Sequence, residues 1–311
     1  MTAAERHDTA PVPEIRSARS VRRERRRRSR REFAAEYRRQ RAGVIGLVIL
    51  VVFIALALLA PVIADYDDTL ATETVDNPER QPPSGEYLLG TDDKGRPIIA
   101  LLVWGARTSL TVGLVAAFLS IVIGAAVGIS SGYFGGWPDT VLSRLEEAFL
   151  VIPQIPLAIV MVSVMGRDLR TIILVIAITS WAGSARLIRA QTLTVKTRMY
   201  VERARALGAS RWHVITRHVL PNVMPIIIAN LTLTVPIAIL TEATLSFLGI
   251  GPFGGVSWGK TLELARSANA VRLGNWWFFL PVGLIITTVV LSFTMVGNAL
   301  DRVLNPKLRE R

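Results

Sequence analysis

The sequence predicts an all-α integral membrane protein with six transmembrane helices. Three observations carry that expectation. The chain is 51% hydrophobic with a mean hydropathy of +0.41, and its apolar residues are gathered into long runs. One run, 42–64, has no charged residue. At a rise of about 1.5 Å per residue it is long enough to cross a hydrocarbon layer of about 30 Å. The net charge of +12 is also uneven, concentrated in two basic zones that flank apolar segments.

The first 41 residues hold fourteen arginines against six acids. The stretch VRRERRRRSRREF has three readings: a cytoplasmic tail on inner-leaflet phospholipid, a nucleic-acid arm, or a twin-arginine export signal. The long apolar run behind it lacks a small-residue cleavage site and is followed by further spans, which favours the lipid-facing tail. Residues 1–32 are expected to form this disordered Arg-rich cytoplasmic tail, since few large apolar side chains are present to build a core. Residues 33–66 form an N-terminal helix and the first span.

Five more apolar segments follow, at about 109–131, 148–166, 171–187, 222–245 and 277–299. Arg186 and Arg189 are expected to snorkel at the end of the fourth. The loop between the first two spans, 67–106 in extent, is rich in acids. Between 65 and 96 there are nine acids against Arg80, Lys94 and Arg96. With the basic tail inside, this acidic loop lies outside, and counting on brings the second basic block, 186–217, to the cytoplasmic face. Both termini are then cytoplasmic, with 301–311 a short tail.

Span chemistry is sparse. Gly124, Gly128, Gly132 and Gly136 recur every four residues and make a smooth stripe for close helix packing. Pro153, Pro156, Pro236 and Pro281 fall within apolar segments and can kink them. Trp276 and Trp277 open the last span as interfacial anchors. Glu146, Glu147 and Glu242 read first as hydrogen-bonded helix-end acids. Glu242 is the one best positioned if an acid faces a translocation path. Mid-membrane ionisable groups of the kind an ion-coupled carrier uses are missing, as is an inverted repeat. There is no cysteine, and three histidines lack metal-ligand spacing, so disulfide, thiolate and histidine-built metal sites are not expected.

The eight residues GGVSWGKT, Gly254–Thr261, match the phosphate-loop pattern G-x-x-x-x-G-K-[ST]. A working phosphate loop needs a buried strand before it and a helix after it. Here SFLGIGPFG precedes it and the segment falls on the outer face. It is read as an external loop.

The most informative segment is YVERARALGASRWHVITRHVLPN, 200–222. Tyr200–Leu207 has helix formers and no breaker, Gly208 supplies a left-handed turn, and Ser210 can cap a second helix to about Val219. Pro221 then sits in the first turn of the fifth span. Glu202 can pair with Arg198 or Arg205. On physics alone this is a projecting basic elbow, a plausible docking knob.

This segment resembles the EAA loop of ABC importer permeases, E-A-A-x-x-x-G-x9-I-x-L-P. Glu202, Ala204, Gly208, Leu220 and Pro221 match it, while Arg203 and His218 replace the usual alanine and isoleucine. RHVLPN is similar to the dipeptide/oligopeptide/nickel branch. So are RAGVIGLVILVVFIALALLAPVIADYD, LLGTDDKGR, WGARTSLTVGL, GYFGGWPD, EATLSFLGIG and SWGK, with Gly95-Arg96-Pro97 departing from the branch's Gly-Arg-Asp. The resemblance covers roughly 33–309.

It implies a type I ABC importer permease fold, with a transmembrane core over 107–300 and a cytoplasmic coupling loop over 188–220. The coupling residues it implies are Glu202, Arg203, Ala204, Leu207, Gly208, Ala209, Ser210, Leu220 and Pro221. The chain would be a non-catalytic subunit in a bacterial cytoplasmic (inner) membrane, binding no cofactor itself; ATP would sit on partner subunits. Its partners would be a second permease in a heterodimer, two cytoplasmic ABC ATPases, an extracytoplasmic substrate-binding protein and membrane lipids, with no nucleic acid. The implied cargo is a dipeptide or oligopeptide, with nickel or another small solute as the alternative. A secondary carrier and a non-transporting scaffold are the other readings.

Overall fold

The computed structural model describes residues 31–304, and the expectations for residues 1–30 and 305–311 lie outside it. Residues 31–39 are helical. Then follow α1 (Arg41–Leu58) and a single turn, α2 (Ala60–Ile63). Next come α3 (Ile98–Phe134), α4 (Gly136–Val151), α5 (Gln154–Met165) and α6 (Leu169–Lys196). The chain ends with α7 (Met199–Ala206), α8 (Arg211–Phe247), α9 (Trp258–Ser267) and α10 (Trp276–Leu304). Among the described residues the nearest thing to a sheet is one isolated bridge, Thr91 with Pro97.

Tertiary contacts sort the connections into two ends. At one end Tyr66 donates its hydroxyl to the Gly254 carbonyl at 3.2 Å, Arg167 reaches the Gly249 carbonyl at 2.9 Å, and the Trp277 indole reaches the Thr91 carbonyl at 3.3 Å. The acidic 65–96 loop, the 166–168 turn and the 248–257 loop therefore share one face. At the other end the Arg205 guanidinium lies 4.8 Å from the Tyr133 ring centre, and Gly43 abuts Ala299. An odd number of crossings must separate the two ends, which the helices supply.

Five helices are long and apolar enough to span by themselves, and the bent pair α4–α5 makes the sixth crossing. The expected single span at 148–166 is thus two helices meeting at 95°. The cause is local. Ile152 precedes a proline, which excludes it from the helical region, and it sits at ψ 126; Pro153 follows at ψ 123.

Two other boundaries differ from expectation. α3 begins at Ile98, and α6 runs on to Lys196, past the apolar limit at 187. The α6 extension is polar enough to escape a hydropathy reading, whereas the α3 extension is apolar, with Ile98, Leu101 and Leu102 buried in the core. Gly124, Gly128 and Gly132 let α3 lie against α6: a Cβ at Gly128 would come within 2.5 Å of the Ala185 carbonyl. Gly136 is not part of the stripe. It begins a new helix with φ +57, and a Cβ there would meet nothing within 4 Å.

Arg186 and Arg189 do not snorkel freely. Arg189 makes a two-pronged pair with Asp139 at 2.7 and 2.8 Å, and Arg186 reaches buried Glu146 at 3.0 Å. These pairs pin α4 to α6. Pro236 and Pro281, expected to kink, lie inside unbroken helices, as does Pro225.

Candidate functional site: two ends of one bundle

At the acidic end a buried polar knot ties three helices together. Glu242 on α8 is 0% exposed. Its carboxylate accepts from Ser109 of α3 at 3.1 Å and from Ser246, one turn on, at 2.7 Å. Ser257 hydrogen-bonds it as well. Ser109 in turn accepts the Trp258 backbone N–H at 3.2 Å, and the fully buried Trp258 indole donates to the Leu102 carbonyl at 3.0 Å. A buried carboxylate satisfied in this way is a structural element. Glu242, the acid read as best positioned if one faces a path, is buried inside the subunit in this structure.

The phosphate-loop lookalike belongs to the same knot. Ser257 caps α9 by accepting the Lys260 N–H at 3.1 Å. A Cβ at Gly259 would come within 2.6 Å of the Ala243 backbone, so this glycine serves close packing of α9 on α8. Lys260 is committed to Glu263 at 2.7 Å. Burial pulls the Glu263 carboxyl up, but hydrogen bonds from Lys260 and Ser267 outweigh it and hold the group below the usual carboxylate range. No strand precedes the motif among the described residues, so it cannot cradle a phosphate in the usual way. The helix α9 itself was missed; Trp258, Leu262 and Ala265 at helical spacing were its sequence signal.

At the basic end α7 and the start of α8 form an elbow. Gly208 takes φ +82 with open space around it, and Ser210 accepts the His213 N–H at 3.2 Å to start α8. Val201 and Val214 are buried beneath the elbow, and three large apolar side chains stand exposed on it among charged ones. Leu207 is 88% exposed, Trp212 73% and Met199 66%. Glu202, Arg203 and Ser210 are exposed, while Ala204 and Ala209 are half-buried against the bundle. Glu202 is in no ion pair with Arg198 or Arg205; Arg205 stacks on Tyr133 instead.

Pro221 sits in the first turn of the regular helix Leu220–Phe247, as expected, but that helix continues directly from the one that starts at Arg211. The helix runs unbroken from Arg211 to Phe247. A wide π turn over Ile215–Val219 precedes Pro221 and takes up the register its missing N–H leaves.

The chain matches the binding-protein-dependent transport system inner membrane component family over residues 120–310. It belongs to that family. Residues 30–83 match the N-terminal transmembrane domain of oligopeptide transport permease C. The chain is 37% identical to the oligopeptide transport system permease protein of Bacillus subtilis, over 83% of each chain. It is 35% identical to that organism's dipeptide transport system permease protein, over 82% of this chain and 78% of the relative. With the glutathione transport system permease protein of Pectobacterium atrosepticum it shares 33% identity, over 88% and 89%. A methionine ABC transporter in an inward-facing conformation shares the fold, with a TM-score of 0.55 at 21% identity, over 67% of this chain and 98% of that one. The permease is thus a multi-pass inner-membrane transport component with the ABC importer fold.

Proposed function

We propose that this permease imports peptides as one half of a heterodimeric membrane pathway, driven by cytoplasmic ABC ATPases that grip the Met199–Arg211 elbow. The single observation behind this reading is the exposed apolar crest on that elbow. Leaving Leu207, Trp212 and Met199 in water costs about 1.5–3 kcal/mol each relative to burial, so the crest favours being covered. Glu202, Arg203, Ala204, Gly208, Ala209 and Ser210 frame it, and Leu220 and Pro221 continue from it into α8. Nucleotide-driven closure of two ATPases would draw two such elbows together and turn the cavity outward.

On this reading both termini and the elbow are cytoplasmic, as the basic residues at that end favour. An extracytoplasmic binding protein delivers the peptide to the acidic end. The chain performs no bond chemistry, and ATP is bound and cleaved on the partners. The peptide assignment follows the relatives named for oligopeptides, dipeptides and glutathione.

Leu207→Asp tests the reading. It puts a charge on the crest while touching no core, so membrane insertion should persist. Co-purification with the ATPase and ATP-driven peptide uptake should both fall at least about tenfold. Undiminished uptake and co-purification would remove the elbow from the mechanism.

A further inference from the structure

The bend between α4 and α5 opens a cavity of about 460 Å³ on the side of the bundle. Its walls come from the bend itself, from α6 and from α8. Ser180 and Gly183 lie close to the midpoint of α6, and Asn230 close to the midpoint of α8, so the cavity is at mid-membrane depth. Gln154 donates to Ser180 at 2.8 Å across it. The Asn230 side-chain nitrogen is enclosed and has no protein partner. A buried amide without a partner costs about 1–3 kcal/mol, so it calls for a ligand or water. No charged side chain lines the cavity.

Gly183 adds an independent observation. Gly183 is itself exposed on the cavity's rim, between buried Ala182 and Ser184, and a Cβ there would meet no atom within 4 Å. The stripe glycines of α3 are small because another backbone presses on them. Gly183 is small where nothing presses.

We infer that this cavity is a passage subsite for the uncharged backbone amides of a peptide, with Asn230 and the Gln154–Ser180 pair as its hydrogen-bonding groups and Gly183 as its clearance. The inference rests on the peptide-import reading. A neutral amide-bearing wall exchanges hydrogen bonds with successive peptide units without holding any one ion, and the extended backbone at Ile152 and Pro153 is tolerable at this depth only because it borders a cavity. Glu242, at the far end of α8, takes no part.

The natural absence of cysteine allows a direct test in the full transporter with its own partner subunits. Asn230→Cys and Gly183→Cys should react with a small water-soluble thiol reagent at rates that change at least about fivefold between the nucleotide-free and ATP–vanadate states. An excess of transported dipeptide, with the binding protein present, should slow both. Gly183→Leu should insert and co-purify with all partners but lose uptake at least tenfold, and Asn230→Leu should lose about tenfold. Cysteines that never react, or react alike in both states, overturn the subsite. Loss of the second permease from Gly183→Leu also overturns it, since the gap at Gly183 would then be a subunit contact. State-dependent labelling without any peptide uptake by the unaltered transporter overturns the peptide as ligand and, separately, the import reading beneath it.

Discussion

The two ends of this permease use similar residues for opposite purposes. At the acidic end Gly259, Ser257 and Glu242 are buried in a knot that joins α3, α8 and α9. At the basic end Gly208, Ser210 and Glu202 stand in the open on an elbow crowned by Leu207 and Trp212. Gly259 is glycine because a backbone lies against it, whereas Gly208 is glycine because its φ is +82. Each serine caps a helix, but only Ser257 also serves a buried carboxylate. The contrast shows where stability and where coupling reside: the knot holds the fold, and the elbow offers a surface.

The contrast can be broken most severely at Gly259. Gly259→Val forces side-chain atoms against the Ala243 backbone, and the expected loss is about 3 kcal/mol, read as a collapse in the yield of detergent-stable protein. Next is Glu242→Leu, which strands the Ser109 and Ser246 hydroxyls in a buried site. It should cost about 2–3 kcal/mol in thermal unfolding, while Glu242→Gln, which keeps an acceptor, should cost under about 1. A Glu242→Leu protein as stable as its parent would show that the knot is not what holds the acidic end.

Gly208→Ala has space for its methyl but must adopt a left-handed backbone, at about 1 kcal/mol. The loss should appear as faster amide exchange confined to α7 and the start of α8. The smallest effect is expected from Glu147→Gln, which removes the exposed pair with Arg144 at 2.8 Å; unfolding should shift by under about 0.5 kcal/mol.

Much of this could be read directly. Apolar runs located five of the six crossings, and the alternation of acidic and basic loops matched the way the connections gather at two ends. The turn at Gly208 and the cap at Ser210 were legible because both depend on a few adjacent residues. The bend at Ile152–Pro153 was half-legible: two prolines announced a disturbance, but a kink and a 95° break look alike in sequence. α9 was hidden because its hydrophobic face is short and its opening residues mimic a phosphate loop.

The sequence by itself determined composition-level facts: an apolar chain that must satisfy its backbone within helices, with charge segregated to its connections. Those follow from transfer energies and local sterics, which act residue by residue. Only the tertiary structure decided that Glu242 is sealed by serines, that Arg189 reaches back to Asp139, that Gly136 packs on nothing, and that Asn230 faces a cavity without a partner. Each of these depends on which helix lies opposite, and residues 50 or more positions apart meet through packing that no local pattern encodes.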